Sequence, residues 1–359
     1  MSTFQCTIEQ LEISPHPNAD KLELARVGGY YAVVKKDEYA SGDYALYIPE
    51  AAIIPQDLLV ELGLEGRLSG SAKNRVKAVR LRGQLSQGIV CVPSKLLAEL
   101  GTGVLANHAG EDHAETLGIT KWEPPVPANM AGQLQTGVNL VRWSDIENIK
   151  KYPEMFVRDE TVVVTEKIHG TCFLATYNVA DGELLISSKV VGAKNLSIVE
   201  SEGNLYWQAA RRYGIGPTME LMAKDFDATT IAIFGEVFGQ GVQDLPYCRA
   251  GHHFAAFDLY VAYDNVPGTF INAFESLQIL TDYQLPTVPL LWEGPYDYDK
   301  IEELATGEEC VTGEELHMRE GVVVRPFKET ISSLTNKRKI AKFISPDYLT
   351  RKGDVTEHE

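Results

Sequence analysis

Short apolar runs in the second half of the chain, TVVVTEK, ELLISSK, TIAIFGEVFG, HFAAFDLYV and GVVVRP, constrain the fold more than any other feature. Each is rich in β-branched or aromatic residues and is bounded by polar residues, Gly or Pro, the pattern of buried strands. They do not alternate regularly with the helical patterns NLYWQAARRYG, FINAFESLQIL and YDKIEELATG. A doubly wound fold needs that alternation, so the expectation is α+β, built on antiparallel sheets.

Each run also carries charge or precedes it. TEKIHGT carries Lys167, ISSK carries Lys189, and FGEVFG carries Glu236. FAAFDLY carries Phe257 and Asp258, REGVVVRP carries Glu320, and NKRKIAKFIS carries Lys337, Lys339 and Lys342. A charge inside an apolar strand is costly without a partner, so convergence on one site is the simplest arrangement. A solvated lysine titrates near 10.4 and is not a nucleophile at neutral pH; partial burial or a nearby cation makes it one. Gly170, just after Lys167, allows a close approach by a ligand or another backbone.

The ordered set EKIHGT, ISSK, FGEVFG, FAAFDLY, EGVVVRP and a closing basic motif resembles the covalent nucleotidyltransferases, that is, ATP-dependent ligases and capping enzymes, over roughly residues 147 to 352. His169 in KIHG, where DNA ligases and capping enzymes usually have Asp, resembles the RNA ligases of phage and kinetoplastid-editing type. The resemblance implies an ATP-dependent RNA ligase that joins 3′-OH and 5′-phosphate ends through lysyl-AMP and AMP-polynucleotide intermediates, in nick sealing or RNA repair. It implies Lys167 as nucleophile and backbone around Glu166 and Ile168 reading the adenine edge, beside His169 and Gly170. Glu236 would hold the ribose, Phe257 would stack on adenine, and Lys189 would face phosphate. Glu320 would place Mg²⁺ or Mn²⁺, directly or through water. Mg²⁺ prefers oxygen ligands, so His169 is expected behind the metal and not on it. Lys342 is the expected closing lysine and Lys339 the second choice; the KRK tripeptide leaves Lys337 open too. Relatives often carry Asn at the position of Cys172 and Arg at that of Lys189; lysine cannot make Arg's bidentate phosphate contact.

Residues 1–105 read as about five short strands, enough for a small β-barrel. ISPHPNADKLELARV resembles the start of tRNA-binding OB domains, and an OB domain placed first resembles the RNA ligases that seal nicks whose 3′-OH strand is RNA. SAKNRVKAVRLR holds Arg75, Lys77, Arg80 and Arg82 without an acid, so these are expected to grip the 3′-OH strand. In AVRLRG, Val79 and Leu81 alternate with Arg80 and Arg82. Tyr30 and Tyr31 lie on opposite strand faces, so one at most stacks on a base. Residues 106–145, with the Pro- and Gly-punctuated EPPVPANMAG, read as a connecting segment, and 146–359 as the catalytic domain. WSDIENIKKYPEMF reads as a short helix capped by Ser144 or Asp145.

A net charge of −17 argues against non-specific coating of nucleic acid but allows local basic sites. No apolar run reaches the roughly eighteen residues of a membrane span, and MSTFQCTIEQ has no secretory pattern. Five scattered cysteines without a CxxC pair argue against disulfides and zinc and fit a reducing cytoplasm, with a monomer expected. A capping-type guanylyltransferase and a non-catalytic RNA-binding protein are the alternatives.

Overall fold

The computed structural model describes residues 4–101, 105–123, 126–136, 138–245, 247 and 251–351; Cys248 and Lys352 lie outside them. The first half is built on β1 (Thr7–Gln10), β2 (Glu12–Pro15), β3 (Leu22–Val27), β4 (Tyr30–Lys35), β5 (Tyr44–Ile48), β6 (Val79–Leu81), β7 (Gln84–Ser86) and β8 (Ile89–Cys91). β1, β5 and β8 form one sheet, β2, β3 and β4 a second, and β6 and β7 a hairpin. LELARVGGYYAVVKK folds back on itself at Gly28, whose φ of +56° suits a residue without Cβ. Ile8, Leu46, Ile48, Ile54 and Leu96 pack together beneath these strands.

The HPNAD loop has a structural task. His16 Nε2 lies 3.1 Å from the Leu81 carbonyl oxygen, and the Asn18 amide donates to the Arg82 carbonyl. The loop thus braces the β6–β7 turn, where Arg82 adopts φ +50°.

The second half holds two five-stranded sheets. The first runs β9 (Glu147–Asn148), then β18 (Ala341–Ile344), β17 (Gly321–Pro326), β10 (Thr161–Lys167) and β16 (Leu290–Pro295). The second runs β12 (Glu183–Ser188), β11 (Thr171–Asn178), β13 (Thr230–Gly239), β14 (His252–Tyr263) and β15 (Val266–Phe270). All pairs in them are antiparallel except the short β9–β18 pair. Helices α1 (Leu205–Arg212) and α2 (Ile215–Asp225) bury Leu205, Ile215, Met219 and Met222 against the second sheet. α3 (Ala273–Asp282) packs on β14, and α4 (Tyr298–Ala305) on β17 and β18. α5 (Pro346–Thr350) follows β18.

One local expectation fails and one helix goes unread, each for a physical reason. WSDIENIKKYPEMF is not helical: Glu147 and Asn148 are drawn into the ladder beside Ala341 and Lys342, and a turn follows. Tertiary pairing here overrides a weak local preference. α2 is hidden in the sequence by Gly214, Gly216 and Pro217. Those residues occupy its N-cap and first turn, where backbone N–H groups have no helical partner anyway.

The two halves are in contact. The Gly29 N–H donates to the Lys150 carbonyl, and the buried Lys150 ammonium donates to Gln87 Oε1 at 2.9 Å. Ala78 of the first half packs with Ile344, Tyr348 and Leu349 of the second. Arg80 donates to Asp347 at 2.8 Å and to the Thr350 hydroxyl at 3.3 Å.

Candidate active site

KIHG is the corner between the two sheets. Lys167 ends β10 in the first, opposite Gly321, and Thr171 opens β11 in the second, opposite Val237. Gly170 is required at the corner: a Cβ there would lie 2.3 Å from the Val237 carbonyl oxygen and 2.8 Å from Glu236 Cγ. The close approach anticipated for this glycine is therefore by the neighbouring strand.

The corner opens onto two adjoining hollows. The more polar one is lined by Lys167, His169, Lys189, Glu236, Glu320 and Lys342. The more apolar one is lined by Ile168, Phe257, Val288, Val323 and Ile340, with Glu166 and Arg325 among them. Trp143, Ile146, Lys167, Cys172 and Glu236 border both. Most of the expected nucleotide-site residues thus converge from distant positions in the chain.

Electrostatics in the polar hollow are dominated by burial. The Lys167 ammonium is 2.6 Å from Glu320 Oε1, while Glu320 Oε2 is buried with no hydrogen-bond partner. Lys167 is partly buried, in line with the sequence expectation, and its ammonium lies against Glu320. Burial pushes the Glu236 carboxyl up to about 8, against the pull of the Lys167 ammonium. The same effect raises the Cys172 thiol, which shares a hydrogen bond with Glu236. His169 is fully engaged: Nε2 is 2.7 Å from Asp244, Nδ1 is 2.8 Å from the Tyr348 hydroxyl, and its backbone N–H donates to Tyr247. Gln243 donates to the Gly170 carbonyl.

Glu166 brings its side chain to the apolar hollow as well. Its backbone N–H is taken by the Pro289 carbonyl at 2.9 Å. One carboxyl oxygen accepts from the Cys310 N–H; the other is buried without a partner. Burial raises this carboxyl to about 7, opposed by the Cys310 N–H and Arg319. Asp258 does not line either hollow: it is sandwiched between Arg325, at 3.0 Å, and Arg338, at 2.7 Å.

The closing basic motif divides. Lys342 lines the polar hollow, whereas the Lys339 ammonium lies 2.7 Å from both oxygens of Glu160 and lines neither. Lys337 is 4.0 Å from Asp145 and from Glu147. The four basic residues of the first half are not gathered either. Arg75 is 6% exposed, with its guanidinium 4.1 Å from the centre of the Trp122 ring. Lys77 is half-buried, Arg80 is tied to α5, and Arg82 is exposed at its turn. Tyr30 stacks on Tyr47 in the interior, so the exposed tyrosine is Tyr31.

Trp143, Asp244, Gln243, Arg325 and Tyr348 were not identified from the sequence as site residues. Two of them carry a signal: Trp143 as an aromatic directly before Ser144 and Asp145, and Arg325 as a charge at the end of the apolar run GVVVRP.

No helix among the described residues is long and apolar enough to cross a membrane. A sequence profile of the RNA ligase family matches residues 160–344, and one of an OB-fold domain matches residues 5–93. Among proteins with curated descriptions none matches the chain. Among solved structures the chain is similar to an apo mutant of Naegleria gruberi RNA ligase, at 24% identity and TM-score 0.78 over 97% of this chain and 98% of that one. A mutant of the same ligase with ATP and Mn is 25% identical, with TM-score 0.78 over 96% and 98% of the two chains. One with AMP and Mn is also 25% identical, with TM-score 0.78 over 97% and 98%. The family profile spans more than half of the chain and contains the corner lysine with its carboxylates, and on that ground the chain belongs to the RNA ligase family.

Proposed function

We infer that the chain is an ATP-dependent RNA ligase whose nucleophile is Lys167. The observation that supports this best is the convergence of Lys167, Glu236, Glu320, Lys189 and Lys342 on one hollow beside an apolar one. In this reading the adenine occupies the apolar hollow, against Phe257 and Ile168, with Trp143 closing its edge. The triphosphate lies along Lys189 and Lys342. Lys167 Nζ attacks the α-phosphorus and pyrophosphate leaves. The AMP then passes to a 5′-phosphate, and a 3′-OH displaces it as the phosphodiester forms. Phosphoryl chemistry of this kind depends on positioning and charge neutralisation, which lysines supply in a half-dry cavity.

The residues fit a divalent cation that arrives with the nucleotide. Glu320 keeps one buried oxygen without a partner, and Glu236 is a second carboxyl in the same hollow. A site of few carboxylates completed by phosphates and water suits Mg²⁺ or Mn²⁺. Glu320 would hold the ion, directly or through water, and the ion would neutralise phosphate charge. The same ion would compete with Lys167 for the Glu320 carboxylate. RNA with a 3′-OH/5′-phosphate break is the substrate of this reading, and Arg82 and Tyr31 are the exposed candidates for contacting it.

The test is intact mass after incubation with ATP and Mg²⁺. Wild type should gain one AMP and Lys167→Ala none. An adduct with GTP only would restore the capping reading; no adduct with either nucleotide would leave an RNA-binding protein without ligase chemistry.

A further inference from the structure

We propose that Tyr348 is a positioning residue for lysine adenylylation and that the OB-side hairpin sets its place, so that the first half of the chain acts on the chemistry before any RNA is bound. The proposal rests on Lys167 being the nucleophile.

Tyr348 is 0% exposed and sits on α5, a single turn after β18. Its hydroxyl is 2.8 Å from His169 Nδ1, and the two rings meet edge to face at 5.4 Å. The other imidazole nitrogen faces Asp244 at 2.7 Å. Asp244 is held at 2.9 Å by both of its oxygens to Arg351, whose guanidinium lies 3.7 Å from the centre of the Tyr348 ring. These contacts hold the Asp244 carboxyl down at about 2, so it stays an ionised acceptor. An ionised carboxylate can only accept, so Nε2 carries a proton, and the Tyr348 hydroxyl closes off Nδ1.

That contact matters because of what lies on the other side. His169 Nδ1 is also 3.9 Å from Glu320 Oε2, the buried oxygen without a partner. With the tyrosine hydroxyl in place, Nδ1 is occupied and Glu320 keeps its 2.6 Å contact with Lys167. Without it, Nδ1 is left with Glu320 Oε2 as a neighbour, and the imidazole can draw that carboxylate away from the lysine. Tyr348 therefore keeps the carboxylate beside the nucleophile available to that lysine, without touching the reacting atoms.

The strut has an outer end. Ala78, which leads into the β6–β7 hairpin, packs with Ile344, Tyr348 and Leu349, and Arg80 on β6 binds Asp347 and Thr350 of the same helix. One short helix thus joins the hairpin to the imidazole next to Lys167.

The experiment is single-turnover AMP transfer to Lys167 at varied ATP, with no RNA present, for wild type, Tyr348→Phe and Arg80→Ala. Tyr348→Phe keeps the ring packing and removes only the hydroxyl. It should slow transfer at saturating ATP at least tenfold, with the half-saturating ATP concentration changed less than threefold. Arg80→Ala should slow the same step two- to fivefold. Wild-type transfer in Tyr348→Phe would overturn the positioning role. Wild-type transfer in Arg80→Ala, with a defect only when RNA is sealed, would make Arg80 an RNA contact and sever the hairpin from the chemistry. If Tyr348→Phe does not fold, Asp244→Ala, which frees the imidazole at its other nitrogen, should show the same slowing, and full activity there would overturn the proposal. Failure of wild type to form any adduct would instead refute Lys167 as the nucleophile.

Discussion

The corner between the two sheets and the basic segment of residues 71–82 present the same kind of sequence signal, a cluster of charges, and resolve it in opposite ways. At the corner, Lys167, Lys189, Glu236, Glu320 and Lys342 come from separate strands or their ends and meet in one hollow. In the basic segment, Arg75, Lys77, Arg80 and Arg82 are close in sequence and part company: one under Trp122, one half-buried, one on α5, one in solvent. A charge embedded in a buried strand has few places to go, and such charges are forced together. A charge on a short exposed hairpin is under no such constraint, and proximity in sequence says little about a shared task.

The sharpest probe of this contrast lies within the closing basic motif itself. Lys342 lines the hollow and Lys339 is held by Glu160. Lys342→Ala should reduce AMP transfer on the order of 10²-fold, the usual loss for one group that neutralises transition-state charge. Lys339→Ala should leave transfer within about threefold of wild type while lowering stability by about 1 kcal/mol through the uncompensated Glu160. Equal kinetic losses would mean that both lysines reach the nucleotide and that convergence is looser than the strand argument requires.

Next in size is the corner glycine. Gly170→Ala places a methyl against the Val237 carbonyl oxygen and should destabilise the protein by about 1–3 kcal/mol, read as a drop in the urea midpoint. An unchanged midpoint would show that the two sheets part easily at this corner.

The buried carboxyls make a pH prediction. In the unfolded chain Glu236 ionises near 4.5, whereas in the folded protein burial raises it to about 8. Between those values the folded state keeps a proton that the unfolded chain has lost. This group's contribution to stability therefore falls as pH rises across that window, by up to about 1.4 kcal/mol per unit, and levels off above it. Glu166, raised to about 7, adds a slope of the same sign over a shorter range. Ligand-free Glu236→Gln should lose less stability than wild type between pH 5 and 8 in urea titrations. Parallel slopes would mean that Lys167 keeps Glu236 ionised throughout.

The smallest effects separate the arginines of the basic segment. Arg75→Ala should lower stability by about 1–2 kcal/mol, from the lost stack on Trp122, and leave the salt dependence of RNA binding unchanged. Arg82→Ala should stay within about 0.5 kcal/mol in stability and make the logarithmic salt slope shallower by about one. The reverse pattern would return Arg75 to the RNA-binding surface.

What could be read from the sequence follows the same division. β11, β15 and β16 were missed, but β10, β12, β13, β14 and β17, three of the helices and the charged residues of the polar hollow were legible because charge inside or beside an apolar run marks it locally. The His16 and Asn18 braces, the Arg80–Asp347 pair and the Tyr348–His169 pair were not. Their partners are 65, 64, 267 and 179 residues apart, and no local pattern joins one end to the other. Glu147 and Asn148 misled for a related reason: the strand that claims them lies almost two hundred residues later.

Gly29 and Lys150 carry one more implication, for inheritance. A Cβ at position 29 would stand 2.7 Å from the Lys150 Cα, so the two backbones are seated directly against each other, and the lysine that follows them inward is satisfied by Gln87. A module hung on a tether can be exchanged for another without consulting its neighbour. Here any replacement of the N-terminal unit must bring its own glycine and its own glutamine, so the pair would evolve as one transmissible block, and chimeras of related ligases should be cut outside it.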